Sequence, residues 1–114
     1  VLVTQSGPAG LLSFDECFTT IFNTLRNVFA HTAAAQVHVP AFETLWGFTL
    51  ASDSPLLQIS DESIDQLLSI RVKNDLNHYD AETHRGMFAL PKHLRNGLKS
   101  ETRINRDATP VFMA

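Results

Sequence analysis

Apolar and polar positions change their rhythm three times along this chain, and each change marks an element. Val1 to Thr4 is a short β-branched run that reads as a strand, followed by the small-residue loop Gln5 to Gly10. From Phe14 the rhythm becomes helical. Phe14, Cys17, Phe18, Ile21, Phe22, Leu25, Val28 and Phe29 form one stripe, with Asp15, Thr19, Asn23, Arg26 and Asn27 on the other side. Ser13 and Glu16 have the S-x-x-E spacing of a capping box, so the helix is predicted to start at Ser13, with Phe22 buried at its centre. The rhythm then shortens to two. In Ala35 to Val39, Ala35, Val37 and Val39 alternate with Gln36 and His38. Leu45 to Ala51 is apolar on both faces except for Thr49, which predicts a strand covered on both sides. Pro40 lacks an N–H and stops the ladder, Ala41 to Thr44 turn the chain, and Gly47 admits a close neighbour. Such a hairpin needs further sheet to dock on.

Beyond Asp53, Ser54 and Pro55 the pattern is helical and thinner. Ser60 is placed to cap a helix with Asp61 and Glu62 in its first turn, and Ile64, Leu67, Leu68 and Val72 on its apolar side. Asp80 is placed to cap a short helix carrying Met87, Phe88 and Leu90. Pro91 suits the first position of another that runs to Asn96 or Gly97. From Ser100 the tail reads as loosely ordered. Residues 1–54 thus read as part of a sheet domain and 55–114 as its helical extension. Because Val1 already lies in a strand pattern, the expectation is a partial domain whose upstream half precedes it. Such a piece is expected not to fold alone, since Leu45 to Ala51 lack a complete sheet.

Composition narrows the classes. A 44% hydrophobic, 18% charged chain of 114 residues is globular rather than disordered. A net charge of −3 gives no footprint for nucleic acid or an anionic membrane. No apolar run is long enough to span a bilayer, so a soluble, cytoplasmic protein is the default. The single Cys17 excludes an internal disulfide framework and any CxxC metal site, and its apolar setting suits a buried thiol.

Chemistry-bearing residues are few. His78, Asp80 and His84 invite a metal, but they form no closed set of three ligands at a usual zinc spacing, so no metal site is expected; a cap at Asp80 and a local hydrogen bond at His84 account for them. Ser6 in QSGPAG lacks the G-x-S-x-G elbow of a nucleophile. Arg71, Lys73, Lys92, Arg95, Lys99 and Arg103 read as solvated helix ends rather than a phosphate clamp. The segment Phe42-Glu43-Thr44-Leu45-Trp46 sets an acid between two aromatic rings. That suits an organic cation, with a carboxylate for its ammonium and rings for its methylenes. It suits equally a hairpin tip with an exposed Glu and a core Trp.

VTQSGPAG, the helix after it and VHVPAFETLWGFTLASDSP together resemble the carboxyl-terminal half of the polyamine aminopropyltransferase family. The thermospermine-forming branch is nearest and the spermidine-forming branch next. LNHYDAETHRGMFALPKHLRNGL resembles the family's later tyrosine-rich segment, and the tail its thermospermine-type ending. The resemblance implies an α/β fold: the last strands of a Rossmann-like, methyltransferase-type sheet, as strand, helix and antiparallel hairpin, followed by short helices. It implies transfer of an aminopropyl group from decarboxylated S-adenosylmethionine to a polyamine. On this footing Gln5 hydrogen-bonds the polyamine. Phe42 stands where spermidine-forming members carry a Tyr, favouring a longer acceptor. Glu43 supplies an acid, Trp46 a pocket wall or core, and Pro40 shapes the loop. No resident cofactor is implied. The donor co-substrate and the catalytic acids belong to a segment upstream of residue 1, so these residues alone are expected to show no turnover. The partner implied is the small-molecule polyamine, with neither nucleic acid nor membrane and with a homo-oligomer left open. A related methyltransferase and a non-catalytic remnant that binds polyamine or dimerises remain alternatives.

Overall fold

A computed structural model describes residues 1–113. The element order is β1 (Leu2–Pro8), α1 (Phe18–Arg26), β2 (His31–Val39), a 3-10 turn (Pro40–Phe42), β3 (Thr44–Ser52), α2 (Asp61–Arg71), α3 (Ala81–Phe88) and α4 (Lys92–Ser100). The strands form one sheet in the order β1-β3-β2, with β3 antiparallel to both neighbours. β1 and β2 therefore run in the same direction, and their carboxyl ends share one edge with the amino end of β3. That edge is where open α/β sheets hold ligands.

The hairpin is longer than its alternating stretch suggests. β2 begins at His31, and Ala33, Ala34 and Ala35 are all buried. Pairing runs from His31 opposite Ser52 to Val39 opposite Thr44 and stops at Pro40. Glu43 closes the turn in the left-handed region at φ 54°. β1 also outruns its expected end. It continues through Gln5 to Pro8, with a register irregularity between Gln5 and Gly7. Gly7 takes φ 83°, which a side chain would resist, and Ser6 turns inward, its hydroxyl 2.7 Å from that of Thr49.

The helix does not start at Ser13. The N–H of Glu16 donates to the Ser13 carbonyl within a turn, and α1 begins at Phe18 after Cys17, which makes no side-chain cap. Tertiary contacts override the capping box. Arg103 donates to the Asp15 carbonyl, and the Thr19 N–H reaches back to Phe14 instead. Phe14 itself packs edge-on to His93 of α4, with ring centroids 5.4 Å apart. The buried centre of the stripe is Phe18, fully enclosed, whereas Phe22 is partly buried under the Arg26 guanidinium and Val28 is exposed. Phe18, Ala9, Ala34, Leu90, Leu94 and Leu98 form one cluster, with α1 packed on one face of the sheet and α4 against α1.

Two expectations about polar residues fail for one reason. Thr19 and Asn23, read as solvent-facing, are buried, and the tail from Ser100 is anchored rather than loose. Glu101 accepts from Thr19 at 2.7 Å, Thr20 at 2.9 Å and the Arg103 guanidinium. Asn23 donates to the Arg103 carbonyl, and the Asn105 N–H donates to Thr24. Arg103 is thus a tie between the tail and Asp15 rather than a solvated helix end.

The later helices keep their local signals. Ser60 caps α2 through the Ser63 N–H, and Asp80 caps α3 through the Thr83 N–H. Leu90 lies just beyond α3 but is buried. Pro91 is the N-cap rather than the first residue of α4, which extends to Ser100. Asp65 accepts from the Ala81 N–H and Asp61 pairs with Arg85 at 2.6 Å, bracing α2 against α3. Among the described residues no helix is long and apolar enough to cross a membrane.

Candidate functional site

Directly paired residues of an antiparallel ladder share a face. Gln5, opposite Phe48, therefore lies on the same side of the sheet as Trp46, the single Trp of the chain. The face covered by α1 takes Gly47, Thr49 and Ala51, all buried. A methyl group on Gly47 would overlap the Phe18 ring, so the close neighbour that this glycine admits is the helix. The opposite face carries Trp46, Phe48 and Leu50, each half-buried.

On that open face, at the carboxyl end of β1, the indole N–H of Trp46 donates to Gln5 Oε1 at 3.1 Å. The ring of Phe42 tilts at 40° against the indole, centroids 4.4 Å apart. Gln5, Trp46 and Phe42 thus form one continuous group drawn from the edge strand, the central strand and the turn. Phe42 is 45% exposed. Glu43, in its left-handed turn conformation, is exposed beside it. An amide, two aromatic rings and a nearby carboxylate offer hydrogen-bond acceptors and π-faces without a fixed cation, a set that matches an alkylammonium ligand.

A groove of about 710 Å³ runs between the carboxyl end of β2 and α3, lined by Val37, His38, Pro40, His78, Thr83 and Met87 among others. It adjoins the aromatic group through Pro40, which begins the turn carrying Phe42, but Gln5, Phe42, Glu43 and Trp46 do not line it. The candidate site follows the chemistry and the strand ends rather than this groove. The alternating pattern of β2 set His38 opposite Val37, but nothing in the sequence paired His38 with His78 across a groove.

The histidine cluster resolves into local structure. His84 Nδ1 meets the Tyr79 hydroxyl, and its ring leans on Phe88 at 5.0 Å. Burial, then the Arg85 charge, pushes the His84 imidazole down, and burial pushes the Tyr79 phenol up. The Thr83 N–H and hydroxyl hold the Asp80 carboxyl below its usual range. Among the described residues no three metal-binding side chains stand together. Burial, then Glu16, pushes the Cys17 thiol up, which leaves it a poor nucleophile.

No protein-family model matches the chain. Over 98 residues it is 42% identical to the polyamine aminopropyltransferase of Sulfurisphaera tokodaii, covering 84% of this chain and 32% of that protein. Over 113 residues it is 32% identical to a thermospermine synthase of Arabidopsis thaliana, covering 99% and 33% respectively. Spermidine synthase from Thermotoga maritima superimposes with a TM-score of 0.66 at 19% identity, over 87% of this chain and 34% of that one. A spermidine synthase in complex with the transition-state analogue AdoDATO gives 0.65 at 18% identity, again over 87% of this chain. These structural likenesses establish the fold as the methyltransferase-like α/β type expected from the sequence. The chain spans about a third of the length of the curated relatives it matches. Over that span it is homologous to the polyamine aminopropyltransferases.

Proposed function

We propose that the protein containing this segment transfers an aminopropyl group from decarboxylated S-adenosylmethionine to a polyamine, and that the segment forms the acceptor-facing wall of the cleft. The observation that carries the reading is the Gln5–Trp46–Phe42 group at the ligand-binding edge of the sheet, in a chain homologous to aminopropyltransferases. In the reaction a neutral amine nitrogen attacks the methylene beside the sulfonium. The new N–C bond forms as the C–S bond breaks, the electron pair stays on sulfur to give methylthioadenosine, and the amine loses a proton to a base. Nothing in that scheme asks Gln5, Phe42, Glu43 or Trp46 to move a proton. Their part is to hold the acceptor: the Gln5 oxygen and the Glu43 carboxylate take N–H bonds, and the rings of Phe42 and Trp46 flank the methylenes. With Phe42 in place of a hydroxyl-bearing ring, the pocket favours spermidine over putrescine. Donor binding and catalytic acids are assigned to residues outside this chain.

The test is to incubate the complete protein with decarboxylated S-adenosylmethionine and either spermidine or putrescine, and to measure methylthioadenosine. Release that depends on the polyamine and is faster with spermidine is the expected result. Acceptor-independent release, or methyl transfer from S-adenosylmethionine in its place, would replace this reading with another. The same assay on residues 1–114 alone should give no product.

A further inference from the structure

A glutamine amide has two unlike ends. The oxygen accepts and the NH2 donates, and rotation about the last torsion exchanges them at little cost. An exposed Gln5 on an edge strand would present either end to a ligand. The indole N–H of Trp46 is a donor only, and it lies 3.1 Å from Gln5 Oε1. A donor-only neighbour admits only the oxygen end. The indole is itself braced by the Phe42 ring at 4.4 Å, on a turn closed by the Glu43 N–H donating to the Pro40 carbonyl at 3.1 Å.

Resting on the functional reading above, we infer that Trp46 is a positioning residue for Gln5. Its N–H locks the amide so that the oxygen keeps a fixed place, with a second lone pair free for an N–H of the acceptor amine. Phe42 acts one step further back, by holding the indole. Released from the lock, the amide can turn its NH2 toward an ammonium, and two donors then face each other. Trp46 therefore contributes to acceptor recognition through its nitrogen, separately from the apolar area of its ring.

The test has an arm that does not depend on catalysis. In the complete protein with 15N-labelled tryptophan, the indole N–H resonance absent from Trp46→Phe reports this bond. Gln5→Leu should shift that resonance and speed its exchange with solvent about five-fold, the factor that one net hydrogen bond is worth. Gln5→Glu keeps an acceptor oxygen and should leave the exchange slow. The second arm is steady-state kinetics. Trp46→Phe, which keeps a ring against Phe42, should raise the KM for spermidine about five-fold, more than it lowers kcat, and leave the KM for the sulfonium donor unchanged. The Gln5→Leu/Trp46→Phe double variant should be impaired by less than the product of the two single effects. An unshifted resonance in Gln5→Leu overturns the lock whatever the enzyme transfers, and so do independent, multiplying effects in the double variant. A shifted resonance in a protein that transfers no aminopropyl group overturns the functional reading and leaves the lock standing.

Discussion

The two faces of β3 are built to opposite specifications. One face is small and closed. Gly47, Thr49 and Ala51 let α1 approach until the Phe18 ring lies against the strand backbone. The other face carries larger residues and is partly covered: Trp46, Phe48 and Leu50 are half-buried, Ala33 and Ala35 beside them are buried, and Phe42 extends the aromatic surface beyond the strand. The apolar bulk that stabilises the closed face comes from the helix, whereas on the open face the strand supplies it. A face that contributes its own bulk and is only partly covered retains some of that surface for a ligand or for further chain. One nine-residue strand thus serves the core with its small residues and the candidate site with its large ones.

Four measurements would break or sharpen this contrast. Phe18→Ala strikes the closed face hardest. A fully buried Phe replaced by Ala costs about 3–5 kcal/mol, and denaturant titration of the complete protein should show a loss in that range. A loss below about 1 kcal/mol would mean that α1 is not the lid of the core. Next is the anchor that holds the tail across α1. The Arg103 guanidinium, first of all, and the hydroxyls of Thr19 and Thr20 hold the Glu101 carboxyl at about 2, well below its ordinary 4.5, against a desolvation that raises it. A group whose folded value is depressed stabilises fully above its unfolded value and loses that contribution as pH falls toward the folded one. Unfolding free energy should therefore drop by on the order of 3 kcal/mol between pH 4.5 and pH 2 through Glu101. Glu101→Gln should be less stable at neutral pH and should flatten that slope. An unchanged slope would detach the tail from the core.

Gly47→Ala comes third. The added methyl meets the Phe18 ring, and overpacking of this kind costs about 1–3 kcal/mol. Combined with Phe18→Ala, which vacates the space, its cost should largely vanish, and a simple sum in the double variant would separate the two residues. The smallest stability effect is expected on the open face. Phe42→Ala should change stability by less than about 1 kcal/mol, since an exposed aromatic pair is worth little more. The same substitution should weaken acceptor binding in the complete protein, as read from the KM for spermidine. A stability loss as large as that of Phe18→Ala would turn the open face into a second core.

The sequence by itself determined what depends on neighbours along the chain. Ser60 and Asp80 cap their helices because a side-chain oxygen reaches an N–H three residues on without help from elsewhere. Pro40 ends the ladder because its nitrogen carries no hydrogen, and Gly47 marked a close approach because it has no side chain. Of the candidate site, the residue types of Gln5, Phe42, Glu43 and Trp46 were legible, but not that β1 runs on through Gln5 to Pro8. Only the tertiary structure decided what links distant segments. The Ser13–Glu16 signal yielded to Arg103, a residue far along the chain that claims the Asp15 carbonyl. Thr19 and Asn23 carry no mark of burial, since their partners Glu101 and Arg103 arrive with the tail. The placement of β3 between β1 and β2, and with it the bond from Trp46 to Gln5, follows from the pairing of segments some forty residues apart. Periodicity reports which way a side chain faces, whereas the choice of partner is made by the packing of the whole sheet.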